Sequence, residues 1–227
     1  MKNSMKTIAL ATLVGFLGCA LKGCKEDEYA IIDGAVFHKT YITQYLDPSG
    51  FVAEEAATGD SMSVSLCFDG SLITSGTKFD ELSKYYGDDA FNRSIVPSVR
   101  TVVNDSIRAI EIKCVDGFDD THPAGSDISD FVEVRYVSYH EYVKSGYVYV
   151  DKGDVAEWKG LIEYMGESGA QLLKGMAADV NFGNTNMMER QLLLTFTKKP
   201  ANAGAFRLEV VMHMSESVLS QTIECIF

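Results

Sequence analysis

Between Asp116 and Asp130 the chain reads Asp-Gly-Phe-Asp-Asp-Thr-His-Pro-Ala-Gly-Ser-Asp-Ile-Ser-Asp, five aspartates in fifteen residues. Calcium takes about six to eight oxygens, which carboxylates and loop carbonyls can supply. Asp116, Asp119, Asp120, Asp127 and Asp130 are therefore the candidate metal ligands, with calcium the ion they suit. Their spacing does not fit an EF-hand loop. The competing reading is a surface loop whose Asp and Ser side chains cap turns, bent at His122-Pro123 and Gly125. Tyr136, Tyr139, Tyr142, Tyr147 and Tyr149 fall within fourteen residues and are the candidate ligand-binding set. Exposed on a sheet, a tyrosine offers an apolar face for a sugar ring or a protein surface, and a polar tip. The same residues are also good strand formers that pack across neighbouring strands.

Catalytic signatures are missing. His140-Glu141 is not followed by the second histidine of a zinc-protease helix. Gly166-Glu167-Ser168-Gly169 approaches a nucleophile elbow, but Ala170 fills the final glycine slot, and a helical pattern precedes it where the elbow needs a strand. No phosphate-binding or dinucleotide glycine fingerprint occurs. The histidines His38, His122, His140 and His213 are scattered, and His213 falls on the wet face of its strand. No catalytic residue is assigned, and the chain reads as a non-enzyme with no cofactor beyond the calcium candidate.

Any such site has to be held by strands, because apolar residues alternate with a period of two along much of the chain. Met62, Val64, Leu66 and Phe68 share one face, as do Ile110, Ile112 and Cys114, and Val132, Val134 and Tyr136. The cleanest run is Phe206, Leu208, Val210, Met212 and Met214 against Arg207, Glu209 and His213. Leu192, Leu194 and Phe196 repeat it, then Leu219, Ile223, Cys225 and Phe227. One dry and one wet face is the mark of antiparallel sheets. The expected fold is mainly β: an antiparallel β-sandwich, immunoglobulin-like or related, with one or two accessory helices. Tyr147 to Val150 is expected to add a strand, and the turn-rich Lys198 to Gly204 to join two strands into a hairpin. The helices are expected from Val155 to Met165, capped by Asp154, and from Thr77 to Tyr86.

The N-terminus carries Lys2 and Lys6, then an apolar run from Thr7 to Leu21 that is shorter than the roughly 20 residues a spanning helix needs. This suits a secretory signal. Leu21-Lys22-Gly23-Cys24 resembles a bacterial lipobox, with Lys22 a departure from its small residue at −2 and Cys19 the competing site. The resemblance implies a signal peptide over 1–23, an acylated Cys24 that ties the protein to a membrane, and a tether over 24–30. Lys25-Glu26-Asp27-Glu28 is similar to the lysine-plus-acid export signal behind the acylated cysteine of Bacteroidetes lipoproteins, which implies the outer face of the outer membrane. Cleavage there removes Lys2, Lys6 and Lys22 and no acid, so 204 residues remain and the formal charge goes from −12 to −15. Such an acidic protein repels nucleic acid. The remaining Cys67, Cys114 and Cys225 are odd in number, and none stands in a Cys-x-x-Cys pair.

Phe118-Asp119 followed by His122-Pro123-Ala124-Gly125-Ser126, after Ile110-x-Ile112 and before Asp130, resembles a family of uncharacterised Bacteroidetes surface lipoproteins. Leu193 to Pro200 and Phe206 to Val211 are similar too, so the likeness covers roughly 100–227. It implies an all-β architecture with modest helix and a surface location. Asp60-Ser61-Met62 and Asp105-Ser106-Ile107 resemble the aspartate-serine-apolar acceptor of Bacteroidetes O-glycosylation. Residues 31–227, with a possible sub-boundary near 104, form the globular part. The leading functional expectation is a non-catalytic surface module that binds a glycan or a protein. An assembly subunit of an envelope complex stands second and an extracellular hydrolase third.

Overall fold

The computed structural model describes residues 31–32, 35–54, 62–95, 99–161, 167–179, 186–201 and 204–226. Cys24, the stretch Lys25 to Glu28, Asp60, Ser61 and the Ile162 to Met165 part of the expected helix lie outside these residues. The chain divides into two units, Met1–Lys39 with Phe91–Ser98, and Thr40–Ala90 with Val99–Phe227. In the first, β1 (Ile31–Ile32), β2 (Ala35–His38) and β5 (Arg93–Ile95) form a three-stranded antiparallel sheet in that order.

The second unit holds the apolar core. Its strands are β3 (Gln44–Glu54), β4 (Ser63–Ile73), β6 (Thr101–Val103), β7 (Ile107–Cys114), β8 (Val132–Ser138), β9 (Gln171–Met176), β10 (Met188–Phe196), β11 (Ala205–Met214) and β12 (Val218–Ile226). Helices α1 (Thr77–Tyr86) and α2 (His140–Lys144) accompany them. Six strands pair in the order β4-β3-β6-β10-β8-β9, and three in the order β12-β11-β7. The alternation read from the sequence is realised: Phe206, Leu208, Val210, Met212 and Met214 of β11 are all buried. They join Val64 and Leu66 of β4, Val132 and Val134 of β8, Leu192 and Leu194 of β10 and Ile110 and Ile112 of β7 in one cluster. Phe206 meets Phe196 and Phe118 edge to face, with ring centroids 6.2 Å apart in both pairs. Each such side chain removed from water contributes about 1.5–3 kcal/mol before the entropy of ordering is set against it.

Several expectations need correction. β10 and β11 do not form a hairpin: β10 lies between β8 and β4, and β11 between β7 and β12. The connector is held to the loops beneath it by Thr197 N–H to Phe131 O and Ala201 N–H to Phe118 O, both 2.8 Å, and carries the chain from one sheet to the other. Alternation cannot see this, since either pairing buries the same faces. Tyr147 to Val150 is not a strand, because Tyr147 sits in the left-handed region at φ 65°. The expected helix starting at Val155 is a short 3-10 turn over Val155–Trp158, with Asp154 Oδ1 accepting from Ala156 N–H as the cap. Nor are all pairs antiparallel, since β3 and β6 run parallel.

Pairing of β4 with β10 closes β3, β4, β10 and β6 into a ring of four strands, where open sheets were expected. The bend that permits closure is written at Pro48, Gly50 and Gly70. The β3–β4 register shifts between Pro48 and Gly50, and Pro48 has no N–H to give the ladder. Opposite Pro48, Gly70 comes so close that a Cβ on it would collide with the Asp47 carbonyl oxygen, while a Cβ on Gly50 meets nothing. Gly70→Ala is therefore expected to lower stability by about 1–3 kcal/mol and Gly50→Ala by under about 0.5 kcal/mol, read from urea unfolding midpoints. Equal losses in the two variants would contradict the close approach.

Candidate functional site

Helices α1 and α2 end in the same way. Gly87 closes α1 in the left-handed conformation, with Gly87 N–H bonding Lys84 O at 3.1 Å and Asp88 N–H bonding Ser83 O at 2.7 Å. After α2, Gly146 is left-handed too, with Gly146 N–H to Val143 O at 3.0 Å and Tyr147 N–H to Tyr142 O at 2.8 Å. These are Schellman ends, in which the residue after the glycine folds back over the helix. The two residues so placed, Asp88 and Tyr147, meet: the Tyr147 hydroxyl donates to Asp88 Oδ1 at 3.0 Å. The Asp88 carboxylate also accepts Tyr41 N–H at 2.8 Å and Ile42 N–H at 2.7 Å, backbone donors ahead of β3 that would otherwise be buried unpaired. Asp88 is wholly buried, and burial pushes its carboxyl up to about 6 against the pull of these three hydrogen bonds.

A second set of polar groups lies beside the first. Arg100, 5% exposed, bonds Glu167 Oε2 through Nε and Nη2, both at 2.9 Å, and lies over the Tyr41 ring at 4.5 Å. The Tyr41 hydroxyl accepts Gly169 N–H at 3.0 Å, and burial pushes its pKa up to about 12, partly offset by Arg100. A side chain at Gly169 would run into the Tyr142 ring, which is why glycine stands there. The buried Tyr139 hydroxyl donates to Glu189 Oε1 at 2.7 Å, and burial with the Glu189 charge raises its pKa well above the ordinary range. Rings of Tyr41, Tyr139, Tyr142 and Tyr147 link the two sets through contacts of 4.8–5.8 Å. All of these residues sit at one end of the four-stranded ring, where β3, β6 and β10 begin and β8 finishes.

Four of the five candidate tyrosines are buried, Tyr136, Tyr139, Tyr142 and Tyr147, and only Tyr149 is exposed, at 75%. The buried four are not an exposed stacking face: Tyr139, Tyr142 and Tyr147 pack this end, and Tyr136 lies in the main core. Three aspartates of 116–130 hold the loop and join it to β11. Asp116 pairs with Arg207, and Asp127 Oδ1 accepts Ser129 N–H at 2.8 Å. Asp119 Oδ1 accepts from the N–H groups of Thr121 and His122, from the Thr121 hydroxyl and from His122 Nδ1. Here hydroxyl and carboxylate crowd one ring nitrogen, whereas a proton relay places them on opposite nitrogens. Asp120 and Asp130 do not join the others, and among the described residues no group of three or more His, Cys, Asp or Glu converges as a metal site. Phe118 anchors the loop in the core against Phe131 and Phe206.

Of the remaining candidates, His213 Nε2 faces Glu111 Oε1 at 2.9 Å on the wet side of β11, and burial lowers the His140 pKa. Cys67, Cys114 and Cys225 are buried and, among the described residues, stand outside any disulfide. Ser168 of the elbow-like stretch is exposed while Glu167 is held by Arg100. The Ser106 hydroxyl lies 2.8 Å from that of Ser215. Asp88 and Arg100 were not singled out from the sequence. The signal that could have found Asp88 is the pattern Tyr86-Gly87-Asp88 after an amphipathic helix, matched by Ser145-Gly146-Tyr147.

Exposed apolar side chains adjoin this cluster along the chain. The large apolar side chains exposed among the described residues are Val52, Leu72, Tyr85, Val99, Val148, Tyr149 and Val218. Tyr85, Val99, Val148 and Tyr149 each stand within three residues of Asp88, Arg100 or Tyr147. Comparison of the chain with protein-family models, curated proteins and solved structures finds no match.

Arg100→Ala strands Glu167 without its cation and is expected to cost about 3–5 kcal/mol, whereas Arg100→Met with Glu167→Gln recovers part of that loss in the same denaturation assay. Asp119 is held well below the usual carboxylate range by the Thr121 and His122 donors, so its stabilisation is present above about pH 4 and lost as pH falls further. The stability difference between wild type and Asp119→Asn should therefore shrink on acidification below about pH 4. A difference that grew there would contradict the hydrogen-bond assignment.

Proposed function

We propose that the chain is a lipid-anchored protein of the outer membrane, exposed at the cell surface, that acts without catalysis as a binding module for a glycan or a protein. The observation that supports the binding part is the exposure of Tyr85, Val99, Val148 and Tyr149, each within three residues along the chain of the buried, hydrogen-bonded Asp88, Arg100 or Tyr147. Aromatic side chains have few rotatable bonds and so lose little conformational freedom when a partner lands on them. Anchoring rests on the lipobox-like Leu21 to Cys24 and the charged Lys25 to Glu28 behind it. Acyl chains bury methylenes at about 0.8 kcal/mol each, and more than one chain makes the attachment stable. In this reading the two larger sheets of the second unit are a sandwich around their shared core, sealed along the four-stranded ring.

Metabolic labelling with an alkyne fatty acid should mark the wild type and Cys19→Ala but not Cys24→Ala, and a membrane-impermeant reagent should reach the wild type on intact cells. Label retained in Cys24→Ala would remove the assigned anchor. Affinity electrophoresis against a panel of soluble polysaccharides, with crosslinking to intact cells for protein partners, tests the exposed side chains. Tyr149→Ala and Tyr85→Ala should weaken any retained interaction about fivefold or more with an unchanged unfolding midpoint. Binding indifferent to both substitutions would place the contact elsewhere.

A further inference from the structure

We propose that Asp69-Gly70 is a site of self-modification, at which the folded chain carries its own aspartate through a cyclic imide to isoaspartate. The reaction calls on no partner, so it stands or falls separately from the binding reading.

Isomerisation of an aspartate begins when the backbone nitrogen of the next residue attacks the side-chain carboxyl. The atoms that become the ring are Asp69 Cα, Cβ, Cγ and C and Gly70 N. Gly70 N–H donates to Asp69 Oδ1 at 2.8 Å, so the ring lacks only the bond from nitrogen to Cγ. Holding reacting groups together in this way removes most of the entropic cost of the step. Among the described residues the Asp69 carboxyl has no other hydrogen-bond partner to draw it away. Asp69 is also exposed, which gives water access to the imide.

The chemistry closes on water alone. In the neutral acid, Gly70 N bonds to Cγ, the carboxyl O–H group leaves with the proton given up by the nitrogen, and one water is lost. Water then opens the imide. Cleavage at Cγ returns aspartate, whereas cleavage at the backbone carbonyl carbon leaves the chain running through Cβ and Cγ as isoaspartate. Nothing is oxidised or reduced.

The fold fixes the dipeptide in place. A Cβ at Gly70 would collide with the Asp47 carbonyl oxygen, so packing demands glycine, and glycine leaves the attacking nitrogen unhindered. The facing strand is interrupted at the same point: Gly70 lies opposite Pro48, which has no N–H, and the register shifts before Gly50, opposite Asp69.

Asp116-Gly117 is the same pair in a different setting. Asp116 Oδ2 accepts Arg207 N–H and Nε–H at 3.0 Å and Oδ1 accepts from Nη2, which turns both oxygens to β11. Asp105 Oδ1 does accept Ser106 N–H at 2.7 Å, but it is also tied to Ser215 N–H, and the serine side chain crowds the nitrogen. Asp33-Gly34 lies outside the described residues.

The test is to age the protein in mildly acidic buffer, folded and in parallel in urea. Digestion and mass spectrometry follow, with electron-transfer fragmentation to tell isoaspartate from aspartate. Folding should leave conversion of Asp69 as fast as in urea or faster, and slow that of Asp116 by about fivefold or more. Slowing at Asp69 as well would overturn the proposal. Equal conversion of Asp116 in the two conditions would also overturn it, since the dipeptide and not the fold would then decide. Asp69→Glu, which would have to close a larger ring, should lose the product. A signal that survives this substitution belongs to another residue and overturns the assignment.

Discussion

Buried backbone donors must find acceptors, and at the end of the ring where β3 begins that demand falls on a single carboxylate. Tyr41 and Ile42 sit ahead of β3, beyond the reach of its ladders, with both residues fully buried. Asp88 answers both N–H groups, one with each oxygen. The position of α1 relative to β3 follows from this, as does that of the Tyr147 turn. Arg100 then fixes the parallel neighbour, because its carbonyl takes the N–H groups of Thr43 and Gln44 at 3.1 and 3.0 Å while its own N–H reaches the Thr43 hydroxyl. Without these side-chain and loop contacts the ring would have no stable seam at its shortest strand, β6, whose three residues supply few bonds of their own.

The strands were legible because their signal is local. Alternation from Phe206 to Met214 assigns each residue to a face without knowledge of its partner, and burial follows it position by position. Thr77 to Tyr86 was legible as a helix for the same reason, and it ends at the glycine the pattern asks for. Pairing is not local. Nothing in Leu192 to Phe196 records that β4 and β8 flank it instead of β11, since the same faces are buried in either arrangement. The false strand at Tyr147 to Val150 has a different origin. Tyrosine and valine favour extended backbone, but Gly146 has already turned the chain and the Asp88 bond holds Tyr147 left-handed. Tertiary context outweighs a propensity of this size.

Composition misled most where polar residues serve their own loop. The acidic run after β7 suggests ligands for a cation, yet Asp116, Asp119 and Asp127 bind donors of the loop and of Arg207, as short polar side chains do at turns. The apolar part of the same stretch was the better guide. Phe118 reaches the core, Cys114 Sγ lies against the carbonyls of Pro123 and Ser126, and Ile128 N–H bonds back to Ile112 O. The Asp105-Ser106 turn is knitted to the β11–β12 turn in the same manner, through Ser215 N–H on Asp105 Oδ1. Four of the five clustered tyrosines are likewise buried framework, and the exposed apolar side chains Tyr85, Val99, Val148 and Tyr149 stand one to three residues along the chain from Asp88, Arg100 or Tyr147.

The closed ring also governs how the molecule bears load. Strand β3 is flanked by β4 along one edge and by β6 at its start along the other. Force along that strand loads the long β3–β4 ladder in shear, so that many hydrogen bonds must yield together and not one after another. The bulge at Pro48 to Gly50 divides the ladder into two segments and would be the first place to give. Loaded along β3, the ladder would thus resist as a block, with Gly70 packed on the Asp47 carbonyl acting as the stop against sliding.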